Sequence, residues 1–108
     1  MNTRQIKFTV SACRWFDRKN GNTYHSVRIT RNRDGQTLAC PMQYGYGDCY
    51  RQTALQAMAA NKWLPVKYRG RHSNGSAQAM CYEMENNYPI LWNVAETTKR
   101  ECLNHGQL

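Results

Sequence analysis

The strongest constraint in this sequence is a period-two alternation that runs through its first forty residues and is cut twice by turn chemistry. In residues 6–13 the apolar side chains Ile6, Phe8, Val10 and Ala12 fall on every second position, the pattern of a strand with one buried face. Asp17, Asn20, Gly21 and Asn22 follow. An Asn-Gly step is a strong hairpin signal, because both residues tolerate positive φ. A second strand is predicted over residues 24–30, with Val27 and Ile29 on one face and Tyr24, Ser26, Arg28 and Thr30 on the other. Asn32, Arg33, Asp34 and Gly35 mark another turn, and residues 36–43 alternate Leu38, Cys40 and Met42. Pro41 lacks an amide donor, which places this third strand at a sheet edge or ends it early.

The period then changes. Tyr44, Gly45, Tyr46 and Gly47 read as a loop, and residues 48–61 as the main helix. Asp48 suits its start as a cap or first-turn anion. Tyr50, Ala54, Ala57 and Met58 share a face, with Leu55 beside them. Pro65 follows the helix, and residues 68–77 read as a polar, glycine-bearing loop. Met80, Tyr82 and Met84 alternate with Cys81 and Glu83, which predicts a fourth strand, and residues 90–94 a fifth. Residues 95–103 are expected to form a short helix closed by Asn104, His105 and Gly106. The expected fold is α+β: an antiparallel sheet of about five strands, with one main helix and a short C-terminal helix packed on one face. At 108 residues the chain is a single domain with one modest core.

Fifteen Lys and Arg stand against seven Asp and Glu, a formal charge of +8, and ten of the fifteen are Arg. A guanidinium holds phosphate through paired hydrogen bonds and stacks on flat rings, so the balance points to an anionic partner. Mean hydropathy is −0.83 with no long apolar run, which argues against a membrane span. No secretory signal is evident in residues 1–7, and five Cys without a CxxC pair read as free thiols in a reducing cytoplasm. Cys102 and His105 have metal-like spacing but no second pair, so no metal site and no cofactor are expected.

Three groups of residues could carry binding. Arg28 sits at the centre of a polar strand face of hydrogen-bonding side chains. Tyr46 and Arg51 flank a glycine-bearing loop at a helix start, where rings, charge and unpaired N–H groups meet. Tyr82 and Asn93, near the C-terminal hairpin, offer a stacking ring and an amide able to pair with a base edge. Trp92 reads more readily as packed core, and Trp63 as core or an interface anchor. Catalysis finds little support. No Ser/His/Asp order stands out among the three His, no partnered His is suggested locally for a Cys nucleophile, the acids are scattered, and the Tyr24-His25-Ser26 run would want a second His-bearing copy for phosphoester chemistry.

Residues 20–29, beginning Asn20-Gly21-Asn22-Thr23-Tyr24, and residues 44–54, beginning Tyr44-Gly45-Tyr46-Gly47-Asp48, resemble small phage-encoded proteins. They also resemble the Thoeris anti-defence sponge family, phage proteins that bind and hide cyclic ADP-ribose or cyclic nucleotide immune signals. The resemblance implies a non-enzymatic binder of a small anionic nucleotide, acting as a homo-oligomer in the cytoplasm of an infected bacterium. Its pockets, near protomer boundaries, would use an Arg, an aromatic stacker and an Asn, here Arg28, Tyr82 and Asn93. A nucleic-acid-binding or CRISPR-inhibiting phage protein is the alternative that the charge fits equally well, and a module that blocks a host enzyme is a third.

Overall fold

The computed structural model describes residues 5–68 and 76–107, with side chains for 5–68 and 81–107. Three strands form an antiparallel meander: β1 (Phe8–Asp17), β2 (Asn22–Arg31) and β3 (Gln36–Tyr44). The two predicted turns join them, with Gly21 and Gly35 at positive φ. Helix α1 (Cys49–Ala60) follows, then a 3₁₀ turn at Val66–Tyr68, helix α2 (Ser76–Glu85), strand β4 (Ile90–Glu96) and helix α3 (Lys99–His105). The sheet order is β3-β2-β1-β4.

The fold is therefore α+β, but with four strands rather than five, and the sheet is mixed: β4 runs parallel to β1, with Phe8 opposite Ile90 and Arg14 opposite Glu96. The expected strand at residues 80–84 lies inside α2. Five alternating residues cannot separate the two periods, and residues 76–85 hold no β-branched side chain but several Ala, Met, Gln and Glu, which favour helix. Most of the expected polar loop, residues 69–75, lies outside the described residues.

The helices take both faces of the sheet, not one. On the first face Phe8, Val10, Ala12, Val27 and Ile29 are buried against Tyr50, Ala54, Leu55 and Met58 of α1 and Tyr82 of α2. Each fully buried aliphatic side chain there contributes roughly 1.5–3 kcal/mol. His25 is buried on the same face. Its Nδ1–H donates to the Gly45 carbonyl (3.1 Å) and its Nε2 accepts from the Thr53 hydroxyl (2.7 Å), tying the loop before α1 to the helix.

The opposite face receives α3. The Cys102 thiol contacts the Ser26 hydroxyl and the Cys13 carbonyl, and His105 Nε2 donates to the Ser11 carbonyl (2.7 Å). A capping box of Thr98 and Glu101 starts this helix, later than the sequence reading places it. Asp48, at the N-cap of α1, makes no side-chain cap bond.

Pro41 sits on an edge strand, as its missing donor requires. Cys40 pairs with Val27 and Gln43 with His25, so Pro41 and Met42 together stand opposite Ser26 and form a bulge. Gly106, the C-cap of α3, rests on that bulge: a Cβ there would come 2.8 Å from Pro41 Cα and 3.0 Å from the Cys40 carbonyl oxygen. Both are backbone atoms with little room to retreat. Gly106→Ala should therefore cost about 1–3 kcal/mol, read as a lower urea midpoint with faster hydrogen exchange in α3.

Burial lowers the His25 pKa from its ordinary value, with the Gly45 bond opposing. The folded state thus favours neutral imidazole, so stability present above the unfolded value of about 6.5 is lost as pH falls below it. The urea midpoint should fall from pH 6.5 towards 5.5, and His25→Gln should remove that part of the fall.

Candidate functional site

The register of the first hairpin builds the site. Phe8 and Arg31 are direct partners at one end of β1 and β2, so their side chains rise together on the α1 face. Beyond this pair the chain is held by Asn32, whose amide N–H donates to the Lys7 carbonyl (2.9 Å) and whose side chain donates to the Ile6 carbonyl (3.3 Å) and accepts from Thr9 (3.1 Å). The end of α1 arrives from above. Trp63 N–H bonds to the Met58 carbonyl (2.8 Å) and Lys62 N–H to the Ala59 carbonyl (3.1 Å), the paired bonds of a Schellman turn. Lys62 occupies the position where glycine is usual, at φ +60.

These segments enclose a half-open cavity of about 640 Å³, within the range of small-molecule sites. Lys7, Arg31, Arg33 and Lys62 line it, together with Phe8, Trp63, Leu64, Pro65 and Tyr82. Among the described residues no carboxylate lines it. Trp63 is stacked with Phe8 at 6.0 Å and 15°, and the Arg31 Cζ lies over the indole, 4.7 Å from its centroid. Asp34 accepts from Arg31 Nε (3.2 Å) and Nη2 (2.7 Å), and Gln36 accepts from Nη2 (2.8 Å). The hydrogen bonds from Arg31 hold the Asp34 carboxyl below its ordinary range.

The residues singled out from sequence go to different places. Tyr82 lines the cavity; it is packed edge-on against Phe8 and Tyr68. Arg28 and Asn93 share one row of the other face, both opposite Ser11. There Arg28 donates to the carbonyls of His105 (2.8 Å), Asn104 (3.3 Å) and Gln107 (2.7 Å). Its fork thus closes the C-terminus of α3. Asn93 is exposed on β4.

Tyr46 is 66% exposed in the loop before α1. Arg51, in the first turn of α1, lies over Trp92 (5.1 Å) and Tyr50 (6.0 Å). Arg14 approaches the same Tyr50, donates to the Gly47 carbonyl (2.9 Å) and pairs with Glu96. The Nε atoms of Arg14 and Arg51 are buried and find no hydrogen-bond partner among the described residues; the facing rings take up part of that charge.

Lys7, Arg31, Arg33, Lys62 and Trp63 escaped the sequence reading as a group. One signal could have found them. Closing the hairpin at residues 18–21 fixes its register, and that register carries Arg31 to Phe8 and leaves Lys7 and Arg33 beyond the same end. Compared with known proteins, the chain matches no family model, no curated protein and no solved structure. No group of His, Cys, Asp or Glu among the described residues is arranged to hold a metal, and no described helix is long and apolar enough to cross a membrane.

A left-handed backbone at a side-chain-bearing residue costs roughly 1–2 kcal/mol. Lys62→Gly should relieve that cost, less roughly 0.5–1 kcal/mol for the added freedom of glycine in the unfolded chain, and raise the melting temperature by up to about 4 °C, while removing one cation from the cavity rim. Thermal melts and anion titrations should therefore move in opposite directions.

Proposed function

We propose that this chain binds a compact, phosphate-bearing nucleotide in the cavity beside Trp63 and releases it unaltered. The observation that carries the reading is the cavity's lining: four cationic side chains and three aromatic rings around about 640 Å³. Cations offer charge-assisted hydrogen bonds to phosphate, and each bond to a charged group contributes about 1.5–3 kcal/mol. The volume suits one nucleotide better than a polymer strand, which would want a continuous stripe.

The resemblance carried by residues 20–29 and 44–54 gives this binding a purpose. The chain would lower the free concentration of a cyclic ADP-ribose or cyclic nucleotide immune signal by mass action. It would do so in the cytoplasm of an infected bacterium, as a homo-oligomer whose association extends a modest core. In this reading the ligand lies at Lys7, Arg33, Lys62 and Trp63, with Tyr82 beneath. Arg28 serves the fold, because α3 already occupies its donors. Tyr46, Arg51 and Asn93 lie outside the lining.

Calorimetric titration with ADP at low salt tests the reading. Binding is expected, and Lys7→Glu combined with Arg33→Glu should weaken it by at least about tenfold. Two or three phosphate contacts give a shallow salt dependence, whereas an oligonucleotide displaces many counterions and gives a steep one. Heat should release ADP of unchanged mass. A converted product would make the chain an enzyme, undiminished binding in the double variant would move the ligand elsewhere, and a steep slope on single-stranded DNA would replace this reading with nucleic-acid binding.

A further inference from the structure

The four cations of the cavity are not equivalent. Arg31 holds a carboxylate along its edge: Asp34 accepts from it through two bonds and Gln36 through a third. Three of its five N–H donors are thereby spent. Its side chain is only 16% exposed, and its Cζ lies 4.7 Å from the centre of the Trp63 indole, itself stacked with Phe8. A guanidinium in this setting is poorly placed to gain by meeting phosphate, because its partner carboxylate opposes the approach of a second anion. One face of its plane is covered by the Trp63 indole and its edge is fixed by the bonds to Asp34 and Gln36, so the plane it can offer a base is the outer one. Nucleobases stack on such planes as they do on aromatic rings. Lys7 and Arg33 line the same cavity and are the cations assigned to the phosphates.

We infer that Arg31 and Trp63 together form the base-stacking platform of this cavity, so that the site prefers a nucleoside diphosphate over an inorganic anion of the same charge. This assignment rests on the reading of the cavity as a nucleotide site and goes beyond it by dividing the roles within the lining. It also makes Asp34 a positioning residue. By holding the guanidinium edge, Asp34 turns a charge-bearing side chain into a surface.

The test uses the intact chain and two probes, ADP and inorganic pyrophosphate. The wild-type protein should bind ADP about tenfold more tightly than pyrophosphate, the scale of one stacked base. Arg31→Lys keeps the positive charge and loses the plane. It should lower ADP affinity by about tenfold and leave pyrophosphate within about twofold. Asp34→Asn, in an exposed turn, provides a second variant that does not disturb the stack directly. It should raise pyrophosphate affinity and shrink the preference for ADP, because the guanidinium is freed to meet phosphate.

Equal losses for both probes in Arg31→Lys would show that Arg31 acts as a charge and would overturn the assignment while leaving the site in place. An unchanged ADP-to-pyrophosphate ratio in both variants would overturn it as well. Failure of the wild-type protein to bind either probe would remove the nucleotide site itself, and the platform with it.

Discussion

Strand β1 is paired on both sides, antiparallel to β2 and parallel to β4, and everything else in the structure takes its position from that strand. Phe8, Val10 and Ala12 form the middle row of the core. The alternate residues Ser11 and Cys13 present the carbonyls that receive His105 and Cys102 of α3. Its two ends do different work. At the Phe8 end the pairing with Arg31 brings a ring and a guanidinium under Trp63. At the Arg14 end the side chain reaches the Gly47 carbonyl and Glu96, and fixes the loop before α1 relative to β4. A strand that is central in the sheet and contributes to both layers explains how so small a core supports two helical faces.

Arginine serves at least three physical purposes in this chain, and the overall charge does not distinguish them. Arg28 closes the C-terminus of a seven-residue helix, where the unpaired carbonyls favour a cation. A helix of that length is not stable alone, so the guanidinium and the His105–Ser11 bond hold α3 in place. Arg14 and Arg51 flank Tyr50 and join the loop, α1 and β4 through ring contacts. Arg31, Arg33 and the neighbouring lysines surround a cavity. Abundant arginine reads from sequence as an anion-binding surface, yet much of it is internal carpentry.

The meander, its two turns, the edge position of Pro41, the main helix and the last strand were legible in the sequence, because alternation and turn chemistry act over a few residues. Three features were not. The helix at Ser76–Glu85 was hidden by the chance alternation of Met80, Tyr82 and Met84, where residue propensity was the better guide. The parallel docking of β4 beside β1 depends on the path across α1 and α2, which no local pattern encodes. The start of α3 was signalled by Thr98 and Glu101, a capping box that the apolar pattern upstream obscured. At the candidate site only Tyr82 was anticipated. The others meet because hairpin register and a Schellman turn bring together residues that are distant in the chain and look like ordinary surface charge.

The parallel pairing of β1 has a consequence for biosynthesis. The meander can close once residue 44 has emerged from the ribosome, but the strand that covers the other side of β1 begins at Ile90. At about 5–20 residues per second, a nascent chain waits on the order of 2–9 s between those two points. Throughout that interval the outer backbone edge of β1 is unpaired, an invitation to pair with a neighbouring chain on the same message. Dense polysome traffic would therefore penalise this topology more than one in which every strand closes on its predecessor.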